Sequence, residues 1–389
     1  MRIMIGSESF HPNISGVAAA ARAMAAYLAG QGHQVLVLAP SQNNNDDKET
    51  YPEGFEVCRL ASIPNPFRQG FRVTVFPRRQ VRSIVAQWQP QIIHLEDPAS
   101  ICSCLLDAGK AAGIPIIISH HFTLDYVVSY LRYFKPLHQP VRRYLSRRTA
   151  RFYNDCRQVI CPTQTVAEWL YSVGMTAPIA VVSNGVDLDR FFSYSNPVGI
   201  RSHFNLPVLP IVLYVGRVDQ DKHLDTLIEA IPLVLERIAA HFVICGGGNL
   251  LKRLQQHCAE MGVERHISFL GQLEHDDPEL PRLYQIASCF VMPSVFETQS
   301  IVTMEAMASG LPVVAAASGA LPELVADGEN GFLFEPDSAA DLAEKITIIL
   351  NQPELAREMG HQSLKKVYAH ELNHNLRKIE RIYHQVLDI

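Results

Sequence analysis

From Cys289 to Asp337 the chain reads CFVMPSVFETQSIVTMEAMASGLPVVAAASGALPELVADGENGFLFEPD. The run Cys289–Pro293 is short, apolar and closed by proline, the pattern of a buried parallel strand. Ser294 to Gln299 is a polar loop, and Ile301–Ala308 is a helical run stopped by Ser309-Gly310. Leu311–Ala316 is a second buried strand, after which Ala320 to Glu323 opens another helix. The order strand, loop, helix, strand is one βαβ unit. Doubly wound α/β folds place ligands at the loop on a strand's carboxyl end. That loop carries Glu297, and the helix after it carries Glu305.

Eight residues of helix rise by about 12 Å, whereas glycosidase carboxylate pairs sit roughly 5–9.5 Å apart across one bond. Glu297 and Glu305 are therefore poorly placed as an acid/base pair on a single atom, but suited to gripping two ends of a long ligand. Taken alone, the pair reads just as well as a solvated helix face.

A length of 389 residues predicts two domains, and 48% hydrophobic residues suffice for two cores. The opening MRIMIGSESF reads as a strand entering a loop, so no signal peptide is expected. No apolar run approaches the roughly 20 residues of a membrane span. Eight cysteines without C-x-x-C spacing read as reduced residues of a cytoplasmic protein, with no zinc site.

The net charge of −5 is unevenly spread. Residues 1–195 hold 19 Lys/Arg against 14 Asp/Glu (+5), and residues 196–389 hold 15 against 25 (−10). The first half is thus the one expected to meet something anionic. Its densest stretch, Arg132 to Asn154, has seven basic residues, among them Arg142, Arg143, Arg147 and Arg148, and no acidic one. Aromatic and aliphatic residues interleave from Tyr133 to Tyr153, and Arg68, Arg72, Arg78, Arg79 and Arg82 form a second cluster. Basic amphipathic helices lie on anionic membranes, at roughly 1 kcal/mol per basic residue near the surface. An ordinary helix with a solvated basic face is the alternative. A nucleic-acid partner is not expected, because no recognition module accompanies the charge.

Along the chain, Arg2–Gly6, a loop to Gly16, the helix Val17–Ala29 and the strand Gln34–Ala39 make an opening βαβ unit. Residues 42–53 read as a polar, mobile loop. Strands are expected at Gln91–Leu95 and Ile114–Ser119. His120 and His121 follow, on opposite faces of an extended chain, so a shared metal is not expected. Glu96-Asp97 before Pro98 reads as a helix-start pair. Arg217 and Lys222 follow the buried strand Ile211–Val215, and an R-x4-K pair alone is ordinary surface charge.

Together these segments resemble the retaining glycosyltransferases of family four. The family pattern P-S-x-x-E-x-x-G-x-x-x-x-E-A-M-A-x-G-x-P-V-V-A is met at Pro293-Ser294, Glu297, Glu305 to Ala308, Gly310 and Pro312 to Ala315. Its continuation is met at Gly319, Pro322-Glu323, Val325, Asp327-Gly328 and Gly331. The second domain's G-R-x-x-x-x-K-G is met at Gly216, Arg217 and Lys222, with His223 where glycine is usual. Asn184 to Asp187 with Phe191 resembles N-G-V-D-x-x-x-F. His121 to Tyr126 resembles H-x-T-x-D/E-Y of the branch that glycosylates diacylglycerol.

The resemblance implies an α/β GT-B fold: two facing Rossmann-like domains, residues 1–195 and 196–389, a ligand cleft between them, and a final helix crossing back. It implies retaining hexosyl transfer from a nucleoside diphosphate sugar without metal or other cofactor. Arg217 and Lys222 would hold the departing diphosphate, with Gly16 and the N–H groups of Ser300 and Ile301 as further donors. Ser300 stands where glycine is usual. Glu297 would hold sugar hydroxyls, Glu305 the ribose, and His121 the sugar from the other domain. The expected acceptor is a diacylglycerol-type lipid at the inner face of the membrane, where the enzyme sits peripherally. A soluble sugar acceptor and a non-catalytic nucleotide-sugar binder are the rivals. An exported solute-binding protein lacks its signal, and an epimerase would not need the basic aromatic face.

Overall fold

The computed structural model describes residues 1–13, 15–65, 71–75, 77–121, 138–192 and 199–388. Arg68 of the second basic cluster, residues 132–137 of the first, and the positions after His121 in the H-x-T-x-D-Y pattern lie outside the described residues. Two compact units result, one of residues 1–121, 138–184 and 373–388, the other Gly185–Leu372. The division thus falls before Gly185, not at the expected 195/196. The reason is that Val186 N donates to His370 O (2.8 Å), Leu372 N donates to Val186 O (3.0 Å), and Phe191 stacks edge-on against Tyr284 in the second unit's core.

The first unit contains β1 (Arg2–Gly6), β2 (Gln34–Pro40), β3 (Asp47–Thr50), β4 (Glu56–Leu60), β5 (Ser62–Pro64), β6 (Arg72–Thr74), β7 (Ile92–Leu95), β8 (Ile116–Ser119), β9 (Gln158–Cys161) and β10 (Ile179–Val181). Eight of them form one sheet in the order β10-β9-β8-β7-β1-β2-β4-β3. All its pairings are parallel except β3 with β4. The central strands read IMIG, IIHL and IIIS because helices cover both faces, so no polar alternation survives. Strand β3 corrects the mobile-loop expectation for residues 42–53. An edge strand needs only one paired side, so D-K-E-T stays exposed and carries no apolar signal.

The helix Leu372–Val386 packs its end into this first unit. Tyr383 is fully buried, with its hydroxyl 2.6 Å from His94 Nδ1. Glu380 accepts from the Tyr27 hydroxyl (2.8 Å) and pairs with His33 Nε2 (2.8 Å). His33, Glu380 and His384 form a polar clip inside 4.8 Å, the one such His/Cys/Asp/Glu group among the described residues. Among those residues no helix is long and apolar enough to cross a membrane.

The second unit contains β11 (Ile211–Val215), β12 (His241–Cys245), β13 (Ile267–Gly271), β14 (Cys289–Met292), β15 (Val313–Ala316) and β16 (Gly331–Phe334), ordered β13-β12-β11-β14-β15-β16 and parallel throughout. The helix Leu224–Leu235 buries Leu227, Ile228, Ile231 and Val234 in the core. Each such side chain contributes about 1.5–3 kcal/mol. Gly246 to Gly248 act as turn formers here. A Cβ on Gly248 would lie 2.3 Å from Val218 O, so only glycine lets the two loops touch.

Both sheets reverse direction of growth once. In the second unit the switch point lies between β11 and β14, in the first between β1 and β7. The loops leaving those strands are where a doubly wound sheet opens a crevice.

Candidate active site

At the second unit's switch point, the loop after β11 carries Arg217 and Lys222, and the loop after β14 carries Glu297. The buried Ser294 hydroxyl donates to Asp221 O (3.1 Å) and stitches the two loops together. Lys222 Nζ lies 2.5 Å from Glu297 Oε1, across 75 residues of sequence. Their side chains are only 14% and 11% exposed, so the charges meet largely out of water. Burying an ion pair costs desolvation that its attraction often fails to repay. This pair is thus poor stabilisation and good preorganisation.

Arg217 is forked by two carboxylates, Asp219 on Nη1 and Asp221 on Nη2 (2.8 Å). Asp221 Oδ1 is buried with no hydrogen-bond partner. Two cations therefore face three carboxylates here, a formal balance of +2 − 3 = −1. The carboxylates thus satisfy both cations from within the unit. Asp219 and Asp221 escaped the sequence reading, although both lie between the two cations inside the same motif.

The two positions where the family has glycine explain that preference. Ser300 (φ +76°) and His223 (φ +49°) are both left-handed, each immediately before a helix. Such backbone costs a non-glycine residue about 1–3 kcal/mol. Ser300 Oγ is held 2.7 Å from Thr303 Oγ1. Ser300 and Ile301 lie at the amino end of the helix Ile301–Ala308, where N–H groups lack partners within the helix. Gly319 (φ +57°) lets the Glu297 loop pack, since a Cβ there would sit 2.8 Å from Glu297 O.

Glu305 is 1% exposed. Tyr284 donates to its Oε2 (2.7 Å), and burial, then the Glu305 charge, raise the Tyr284 hydroxyl well above its ordinary pKa. His275 Nε2 lies 3.4 Å from Glu305 Oε1, and Arg190 Nη1 stands 3.3 Å behind at His275 Nδ1. His275, in the loop after β13, escaped the sequence reading. Nothing in its spacing marks it. Glu297 and Glu305 thus have separate partners, as their spacing implied.

In the first unit, Gly16 is the first residue of the helix Gly16–Gly30, behind the cap in which Ser15 Oγ accepts from Ala18 N (3.1 Å). His121 Nε2 lies 2.6 Å from Glu96 Oε2, and His120 Nδ1 lies 2.9 Å from the Tyr153 hydroxyl. The adjacent histidines diverge, as an extended chain requires. Glu96-Asp97 is only half the helix-start pair expected. Asp97 Oδ1 accepts from Ala99 N (2.9 Å) at the helix start, while Glu96 continues the strand's alternation inward and is 2% exposed. Glu8, also missed, accepts from Ile101 N (2.7 Å) and Thr74 Oγ1 (2.9 Å). Burial and then the Asp97 charge push its carboxyl up to about 7.

The basic stretch folds as the helix His138–Asn154. Arg143, Arg147, Arg148 and Tyr144 are exposed, Arg142, Val141 and Leu145 are half-buried, and Tyr153 is buried. Among the described residues, no carboxylate lies within ion-pair distance of Arg143, Arg147 or Arg148.

A family model described as "Glycosyltransferase Family 4" matches residues 14–190, and one described as "Glycosyl transferases group 1" matches residues 202–366. The chain belongs to the family-four glycosyltransferases. This glycosyltransferase is 29% identical over 349 residues to the sulfoquinovosyl transferase of Arabidopsis thaliana, covering 86% of this chain and 63% of that one. It is 24% identical over 407 residues to the alpha-monoglucosyldiacylglycerol synthase of Acholeplasma laidlawii, covering 100% of this chain and 98% of that one. Among solved structures it is similar to the sucrose-phosphate synthase of Thermosynechococcus elongatus (TM-score 0.80, 23% identity, 100% and 99% of the two chains). It is also similar to Anabaena HepE in complex with UDP-glucose (TM-score 0.75, 19% identity, 99% and 100%). The fold is GT-B.

Proposed function

We propose that this glycosyltransferase moves a hexose, with retention, from a nucleoside diphosphate sugar to a diacylglycerol-type lipid at an anionic membrane surface. The observation that carries the donor half is the preassembled Lys222–Glu297 pair beside the carboxylate-held Arg217. A diphosphate exchanges with those carboxylates, and both cations then stabilise it as it departs with a growing charge. The N–H groups of Ser300 and Ile301 add to them from the helix start. Glu297, released from Lys222, takes sugar hydroxyls, and Glu305 takes the ribose. Gly16 and His121 serve the diphosphate and the sugar. With this counter-charge supplied by side chains, transfer proceeds without a divalent ion, so turnover is expected to survive chelator. Loss of turnover in chelator, restored by Mg²⁺ or Mn²⁺, would overturn that.

The lipid half rests on the exposed arginines of the helix His138–Asn154 and on the glycolipid-synthesising relatives. Attachment is peripheral and weakens with salt, since exposed charges act within about 8 Å at physiological ionic strength. The test is a transfer assay with labelled nucleotide sugars against lipid extracts and soluble sugars, beside co-sedimentation with liposomes. Arg142, Arg143, Arg147 and Arg148 changed together to Ser should abolish the preference for anionic vesicles. Equal binding to neutral and anionic vesicles would move the acceptor to a soluble sugar.

A further inference from the structure

His94 and Glu96 both turn into the interior at the carboxyl end of β7, and β8 runs beside it in register. Glu96 thus has two imidazoles within reach. His121 Nε2 stands 2.6 Å from Oε2, and His94 Nε2 stands 3.7 Å from Oε1. The ring of His94 is already committed at both nitrogens, Nε2 to Ser119 Oγ (2.8 Å) and Nδ1 to the Tyr383 hydroxyl (2.6 Å). Burial also pushes its pKa down to about 4, so it offers Glu96 no full charge near neutrality. Burial alone would raise the Glu96 carboxyl, but the hydrogen bond from His121 and the neighbouring imidazoles bring it below its ordinary value. A buried carboxylate of this kind needs a proton donor at contact distance. The N–H of His121 Nε2 is that donor. A small pocket within this unit has Glu96, Ser119, His121, Ser183 and Asn184 in its wall.

We propose that Glu96 is the positioning residue of His121, holding the ring by Nε2–H so that Nδ1 is the nitrogen through which it meets a sugar hydroxyl. The inference rests on the reading that His121 serves the transferred sugar. The principle is general: an imidazole's second partner decides which nitrogen carries the proton and where the ring points. Glu96 touches no reacting atom and acts only through that ring.

The decisive measurement is the long-range ¹H–¹⁵N spectrum of the full chain with ring-labelled histidine, His121 being assigned by its loss in His121→Asn. The wild type should show a proton fixed on Nε2 of His121. Glu96→Leu removes the acceptor at similar volume and should give a tautomer mixture, with kcat down roughly ten-fold or more and donor KM changed far less. Glu96→Gln keeps an acceptor and the shape. It should retain the Nε2–H pattern and fall between wild type and Glu96→Leu in kcat, and it tests the idea even where Glu96→Leu fails to fold. An unchanged His121 pattern in Glu96→Leu, or Glu96→Gln as inactive as His121→Asn with a native spectrum, overturns the proposal. Absence of hexosyl transfer by the wild type would instead sink the functional reading and leave the spectral result standing.

Discussion

At the second unit's switch point, permanent charges on loops are paired with one another and remain partly accessible. At the first unit's switch point, titratable groups are sunk beneath the sheet's end and joined through hydroxyls and imidazoles. Arg217 and Lys222 are each held by a carboxylate at contact distance, so a competing anion can redistribute their partners. Burial moves the proton affinities of His94 and Glu8, and at Glu96 the imidazole partners outweigh burial, so these groups respond to the medium. One region is built from paired loop charges and the other from buried proton-binding groups.

The largest effect expected from this contrast is on stability against pH. The folded His94 sits at about 4 against an ordinary 6.5, so the unfolded chain binds a proton the folded one does not. Its contribution is complete above 6.5 and is lost as pH falls towards 4. Glu8 sits at about 7 against 4.5, so the folded chain keeps a proton the unfolded one has released. Its contribution is complete below 4.5 and is lost as pH rises towards 7. Between pH 4.5 and 6.5 the two arms oppose each other, each by about 2 kcal/mol. Glu8→Gln removes the falling arm. Its denaturant-derived stability, minus that of wild type, should rise by about 2 kcal/mol across this window. Parallel curves would show that the first unit is not the proton-sensitive one.

The second prediction concerns the paired loops. Arg217→Ala and Lys222→Ala should each lower turnover at least ten-fold, on the order of 1.4 kcal/mol or more. Wild-type rates in both would erase the distinction, since the loop charges would then be structural too. The smallest effect expected is at His223. His223→Gly relieves a left-handed backbone and sacrifices an exposed contact with Asp337 and an edge-on contact with Phe296, so it should raise stability by about 1 kcal/mol or less. A fall in melting temperature would show that the His223–Asp337 contact outweighs the strain.

The sequence exposes the second unit far better than the first, for a physical reason. Its strands are short apolar runs: Ile211–Val215 falls where it is expected, and Cys289–Met292 and Val313–Ala316 fall inside the two runs read as strands. Its charged residues sit in contiguous loops that motif spacing can read. The first unit hides its chemistry in strand interiors: Glu96 resembles a helix-start acid until its side chain is seen to point inward. Strand β3 is invisible because an edge tolerates polar residues on both faces. His275 meets Glu305 only through tertiary packing, and Asp221 is noticed only once Arg217 is seen between its neighbours.

The clip at Glu380 and the plug at Tyr383 also order events during synthesis. Domains ordinarily fold as units from the amino end as the chain leaves the ribosome. Here residues 373–388 belong to the first unit, so it waits for a stretch that is translated after the whole second unit. Gly185–Leu372 has every strand of its sheet beforehand. Until that stretch emerges, His94 lacks its tyrosine and the sheet's end lacks its cover. A chain stalled before it is therefore born with a finished second unit and an open first one, the form a protease or chaperone would meet first.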